Sequence, residues 1–102
     1  MTLLSPTEID DALDSLPGWG GNADDIRCRY TANDFPGAIA LVDAVAGAAE
    51  AAGHHPDINI RYRDVLFVLS THSENGVTGN DIDLAKTIDG LARAAGLTPA
   101  GD

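Results

Sequence analysis

All three histidines of this 102-residue chain fall in one stretch, GHHPDINIRYRDVLFVLSTH, residues 53 to 72. His54 and His55 stand at one end of it and His72 at the other, with strand-like sequence between. Imidazole gains and loses a proton near neutral pH, so rings gathered in one place could act as donor and acceptor on opposite sides of a small substrate. They could instead ligate a metal, as His₃ sites do in zinc enzymes, although two adjacent histidines rarely aim at one ion without a partner at helical or strand spacing. A third role is structural, the capping of chain ends and turns.

Other chemistry has weaker support. The chain has no G-x-S-x-G elbow, and Ser70, Ser73 and the aspartates are too common for a chance Ser/His/Asp set to be specific. Cys28 falls within a predicted strand and reads as a small core residue rather than a reactive thiol. GWGGNA has neither G-x-G-x-x-G spacing nor a Lys-Ser/Thr ending, so it reads as a turn.

The elements around the histidines decide whether the rings can meet. Ile58, Ile60 and Tyr62 alternate with Asn59, Arg61 and Arg63, a tight connection is expected at Arg63-Asp64, and VLFVLST follows as a second strand. Paired as a hairpin, the start of one strand and the end of the other converge, which brings His54, His55 and His72 to one edge of the sheet. Upstream, Phe35 to Ala52 predicts a long helix capped by Asp34, with Pro36 just inside and Gly53 at the left-handed end position. Ile39, Val42, Val45, Ala46 and Ala49 are expected to share its buried face. Its C-terminus carries partial negative charge that favours imidazolium beside it. Glu50, one turn before the histidine pair, is placed to orient an imidazole.

The remaining elements complete an α+β domain. SPTEIDDALDSL carries a capping box between Ser5 and Glu8, Pro6 at the first helical position, and Ile9, Leu13 and Leu16 as a buried stripe. Ile26, Cys28 and Tyr30 alternate with Arg27 and Arg29 as a half-buried strand, paired across GGNAD with a strand that starts at Trp19. Thr78 and Asp81 form a capping-box start to NDIDLAKTIDGLARAAG, with Ile82, Ala85, Ile88, Leu91 and Ala92 facing inward. The expected order is α-β-β-α-β-β-α, a four-stranded antiparallel sheet with three helices packed on one face. Residues 1–96 are expected as one domain and 97–102 as a disordered tail. Leu66 and Val68 are apolar on the face away from the helices, so they are candidates for a subunit interface or for cover by a loop.

Composition narrows the partners. Six basic against sixteen acidic residues give a formal charge of −10, which repels phosphate backbones and anionic membrane surfaces. Direct nucleic-acid binding is disfavoured. The lone cysteine excludes an intrachain disulfide and a cysteine-based zinc cluster. No basic leader and no run near the ~18 apolar residues of a membrane span is apparent, so a cytoplasmic protein is expected. With five aromatics the core must be mostly aliphatic and modest, and pairing with a second copy would enlarge it.

EAAGHHP followed by LSTH, then GVTGND and a closing helix, resembles the pterin-4a-carbinolamine dehydratase family, known in animals also as dimerization cofactors of a homeodomain transcription factor. The resemblance spans about Leu4 to Ala95 and includes Gly18-Trp19 and Asn33-Asp34-Phe35. It implies a dehydratase that removes water from 4a-hydroxytetrahydropterin to give quinonoid dihydropterin in tetrahydrobiopterin recycling, as a homodimer or homotetramer and with no metal or organic cofactor. In the family, residues matching His54 and His72 are regarded as acids for the two faces of the 4a-hydroxyl, and the one matching His55 holds the pterin and takes up a proton. The segment matching Ser70-Thr71-His72-Ser73 lines the pocket, with those matching Glu50, Trp19 and Asp81 nearby. Two positions depart from the pattern: Gly53 lacks the acidic or amide side chain of many members, and Ile58 stands where an aromatic is common. Relatives of this fold can also be oligomerisation partners or assembly chaperones without catalysis, the alternative for this chain; its complete histidine set favours the enzyme.

Overall fold

Ser5 opens the first helix through reciprocal bonds with Glu8, the Glu8 amide to Ser5 Oγ at 3.1 Å and the Ser5 amide to Glu8 Oε1 at 2.8 Å. This capping box starts α1 (Pro6–Leu13), which buries Ile9. The computed structural model describes residues 2–100. After α1 come β1 (Gly20–Gly21), β2 (Ile26–Thr31), α2 (Phe35–Ala52), β3 (Asp57–Arg61), β4 (Asp64–Leu69), a single 3₁₀ turn (His72–Glu74), α3 (Gly79–Ala94) and β5 (Thr98–Pro99). The expected α-β-β-α-β-β-α order is present, with β5 added.

The sheet runs β1-β2-β4-β3 and is antiparallel throughout. Its centre is the β2–β4 pair, in register from Ile26 opposite Leu69 to Thr31 opposite Asp64. Alternation does the sorting: Ile26, Cys28, Tyr30, Val65, Phe67 and Leu69 are buried on the inner face with Leu41 and Val45 of α2 and Ile82, Ala85 and Ile88 of α3. Leu66 and Val68 are half-buried on the other face beside Arg27 and Arg29. Each fully buried Val, Leu, Ile or Phe among them stabilises the fold by roughly 1.5–3 kcal/mol on burial.

Four expectations change. The buried face of α2 is Ala38, Leu41, Val45 and Ala49, while Ile39 and Val42 are half-buried and Ala46 is exposed. The helix is apolar nearly all round, so its pattern does not set its rotation. For the same reason α2, 18 residues with a mean hydropathy of 1.4, meets the length and composition of a membrane span, where none was expected. The β3–β4 turn is Tyr62-Arg63, one residue earlier than expected; Tyr62 takes φ 59° and is 87% exposed instead of joining the inner face. Finally, residues 97–100 are ordered where a disordered tail was expected: Leu97 is buried and Thr98–Pro99 pairs with Thr31 and Tyr30 of β2. Pro99 fits because a two-residue edge strand can dispense with its amide. Gly101 and Asp102 of that tail lie outside the described residues.

Candidate active site

The end of α2 sets the position of His54. Gly53 adopts φ 65°, donates to Ala49 and Glu50 carbonyls, and is followed by a bond from the His54 amide to the Ala49 carbonyl at 3.1 Å. This left-handed termination turns the chain off the helix, and Pro56 then commits it to β3. Across the hairpin, Asp57 is opposite Val68, so residues 54–56 and 70–72 leave the same end of the sheet.

His54 Nε2 lies 2.5 Å from Asp81 Oδ1. Asp81 is fully buried in the first turn of α3, whose partial positive charge suits a carboxylate. Its other oxygen accepts from the Thr71 hydroxyl at 2.8 Å and the Thr78 amide at 2.9 Å. Thr71 and Thr78 hydroxyls are 2.8 Å apart; since Thr71 gives its only proton to Asp81, Thr78 donates to Thr71. A buried carboxylate needs such donors to offset its lost hydration. With Nε2–H committed to Asp81, His54 presents Nδ1 as the atom that can take or give a proton, and its side chain keeps 14% exposure.

The other two histidines are open to solvent. His55 Nε2 is 2.9 Å from Glu50 Oε1, a pair exposed on both sides. His72 begins the 3₁₀ turn and is exposed. It follows Thr71 directly, so the two oxygens of Asp81 join His54 on one side to the neighbour of His72 on the other. Thr71 also closes a bridge with Gly76, and Ser70 donates to the Asp24 carbonyl at 2.8 Å, which anchors this stretch; Ser73 is exposed.

Trp19 is placed elsewhere. It is buried, donates from Nε1 to the Tyr30 hydroxyl at 2.8 Å and meets that ring edge-on at 6.5 Å. Tyr30 donates in turn to Asp89 Oδ1 at 2.7 Å, and Asp89 pairs with Arg93 at 2.8 Å. Burial, and next the bond to Asp89, push the Tyr30 phenol well above its ordinary range. Ile58 is half-buried on the inner face opposite Phe67, against the core. Trp19 lines a surface hollow of about 340 Å³ with Arg27, Arg29 and Leu66, and the three histidines line neither this hollow nor those of about 480 and 260 Å³. Among the described residues, no group of three or more His, Cys, Asp or Glu side chains is arranged to hold a metal ion.

Two site features escaped sequence reasoning: the Thr71 and Thr78 hydroxyls that complete the Asp81 cradle, and the bond from Asp81 to His54. The capping-box spacing marked Thr78 and Asp81 as a pair, but only tertiary structure supplies the ring that meets them.

A family model described as pterin 4 alpha carbinolamine dehydratase matches residues 2–91. A protein of Nocardia farcinica strain IFM 10152 that carries this family name is 60% identical over 91 residues, 89% of this chain and 96% of the relative. One from Roseiflexus castenholzii strain DSM 13941 / HLO8 is 52% identical over 87 residues, 85% and 94% of the two chains. The crystal structure of a transcriptional coactivator/pterin dehydratase from Brucella melitensis superposes with a TM-score of 0.85 at 34% identity, covering 89% of this chain and 99% of that one. A pterin dehydratase-like RuBisCO assembly factor of the alpha-carboxysome shares the fold, with a TM-score of 0.61 at 24% identity over 72% of this chain and 86% of that one.

Proposed function

Because the chain belongs to the pterin 4 alpha carbinolamine dehydratase family, we propose that it removes water from 4a-hydroxytetrahydropterin to give quinonoid dihydropterin, with His54, His55 and His72 moving the protons in tetrahydrobiopterin recycling. The observation that carries this is the His54–Asp81 bond, in which a fully buried carboxylate with three donors holds one face of a ring whose other nitrogen is left for chemistry.

The reaction needs little else. A proton given to the 4a-hydroxyl oxygen lets the C4a–O bond break with its electron pair on oxygen, and water leaves. The ring nitrogens share the resulting cationic character, and loss of one N–H proton gives the neutral product. His54, oriented by Asp81, and His72, at the start of the 3₁₀ turn, take the acid roles on the two faces of the hydroxyl; His55, steadied by Glu50, holds the pterin and takes up the released proton. Positioned acid–base groups typically contribute about 10²–10⁴-fold, a fitting demand for a carbinolamine that dehydrates unaided. In this proposal Ser70, Thr71, Ser73 and Gly53 shape the floor through their backbone and short side chains, and a second copy covers the outer sheet face at Leu66 and Val68.

The test is stopped-flow dehydration of freshly generated 4a-hydroxytetrahydropterin by the natural chain, His54→Ala and His72→Ala. The natural chain should exceed the buffer rate and each variant should lose about 10²-fold or more. A natural chain no faster than buffer overturns the proposal and leaves a binding module on this scaffold.

A further inference from the structure

At the end of the hairpin away from the histidines, Tyr62 occupies the first position of a two-residue turn with φ 59°, where glycine is the preferred residue. The residue is 87% exposed, so little packing within the fold offsets that backbone conformation. Phe35, the first residue of α2, is 50% exposed. Both residues line one hollow of about 480 Å³ with Asn33, Asp34, Arg63 and Asp64, a volume within the usual range of small-molecule sites. The rings do not stack on each other: the ring–ring contacts among the described residues involve only Trp19, Tyr30 and Phe67.

The polar groups of the hollow are half used. Asp34 Oδ1 accepts from the Gly37 amide at 2.8 Å and Asp64 Oδ1 from the Thr31 hydroxyl at 2.7 Å, while the second oxygen of each carboxylate has no hydrogen bond among the described residues. Arg63 reaches the Ala32 carbonyl through Nη1 at 3.5 Å and keeps further donors. Two aromatic faces, two acceptor oxygens and one guanidinium define a complementary guest. It is flat, it offers N–H donors to the carboxylates and it offers a carbonyl to the arginine. Two carboxylates against one guanidinium disfavour a polyanion.

We infer that this hollow is a second binding site, for a flat nitrogen heterocycle that presents adjacent N–H donors beside a ring carbonyl, the edge carried by guanine-like and pteridine-like bases. β3 separates it from the histidine pair by about 17 Å of strand, so an occupant does not touch the histidines. The site stands independently of the dehydratase proposal, since it rests on other residues and asks for no reaction.

Guanosine is a suitable probe, titrated into ¹⁵N-labelled full chain and followed by amide chemical shifts. Saturable shifts are expected at residues 33–35 and 62–64 and not at His54, His55 or His72. Tyr62→Gly restores the residue the turn prefers, so the variant keeps the amide spectrum of the fold and binds guanosine about tenfold more weakly through loss of a stacking face. Asp64→Asn keeps the Thr31 bond and should also weaken binding, as should 1-methylguanosine, which lacks one ring N–H. Absence of saturation, shifts confined to the histidine rim, or equal binding by Tyr62→Gly overturns the inference. So do shifts at this corner that follow protein concentration without guanosine, which assign it to a second copy of the chain.

Discussion

Helix α3 carries two carboxylates on its sheet side, Asp81 in its first turn and Asp89 eight residues on, about 12 Å along the axis. Each receives a chain of polar groups from the rest of the fold. Asp81 gathers Thr71, the Thr78 amide and His54; Asp89 gathers Tyr30, and through it Trp19, and closes on Arg93. The hardware is alike, but the terminal groups differ. One chain ends in an imidazole with a nitrogen to spare, the other in a phenol that burial holds protonated and an indole that only donates. A buried carboxylate becomes useful for proton transfer when the group it orients can change its proton count at working pH. Otherwise it organises the core.

Substitutions at the two carboxylate networks should therefore separate rate from stability. The largest effect on rate is expected for Asp81→Asn, which keeps the shape but withdraws the charge that orients His54. We expect about a hundredfold lower kcat and a displaced pH–rate profile, since small misplacement of a catalytic group costs that much. An unchanged profile would reduce Asp81 to a helix cap. Tyr30→Phe should do the reverse, leaving the rate intact while Trp19 Nε1 without an acceptor and Asp89 Oδ1 without its donor lower stability by about 1–3 kcal/mol, measured by urea unfolding. A rate loss in that variant would erase the distinction between the networks.

The Tyr30 chain also predicts a pH dependence. Its phenol ionises at higher pH in the fold than in the unfolded chain, where tyrosine titrates near 10. The contribution is thus whole below pH ~10 and is lost as pH rises beyond it, because the unfolded chain releases that proton first. Unfolding midpoints measured through this range should fall more steeply for the natural chain than for Tyr30→Phe. Smallest of all, Glu50→Gln should shift stability by at most a few tenths of a kcal/mol, because the Glu50–His55 pair is exposed on both sides. A large rate effect there would promote His55 to the level of His54.

Legibility in the sequence followed the range of the interaction. Local features were plain: Ser5 with Glu8, Asp34 before Pro36, Gly53 after α2, Thr78 with Asp81, and the alternation of β2 and β4. These are set by neighbours within four residues, which is the distance over which sequence patterns speak. The rotation of α2 was not legible, because a helix apolar on nearly every side offers little contrast to orient it, and Ala38 and Leu41 took the places expected for Ile39 and Val42, with Ala46 exposed. Tyr62 was drawn into a strand pattern by its aromatic character, although the turn claimed it. Of the site, the hairpin ends were legible from spacing. The Asp81–His54 bond, across 27 residues, and the burial of Trp19 against Tyr30 depend on how whole elements stack.

The short strands β1 and β5 lie end to end along the same side of β2, one at Ile26 and Arg27, the other at Tyr30 and Thr31. Two residues apiece is too little to template a foreign strand, yet together they occupy most of a margin that would otherwise be open. The opposite margin, β3, is five residues long, begins after Pro56 and carries Asp57 and Arg61. Cutting the chain before Leu97 would remove β5 and uncover the Tyr30–Thr31 end of β2, opening a short stretch of edge that the native chain keeps paired.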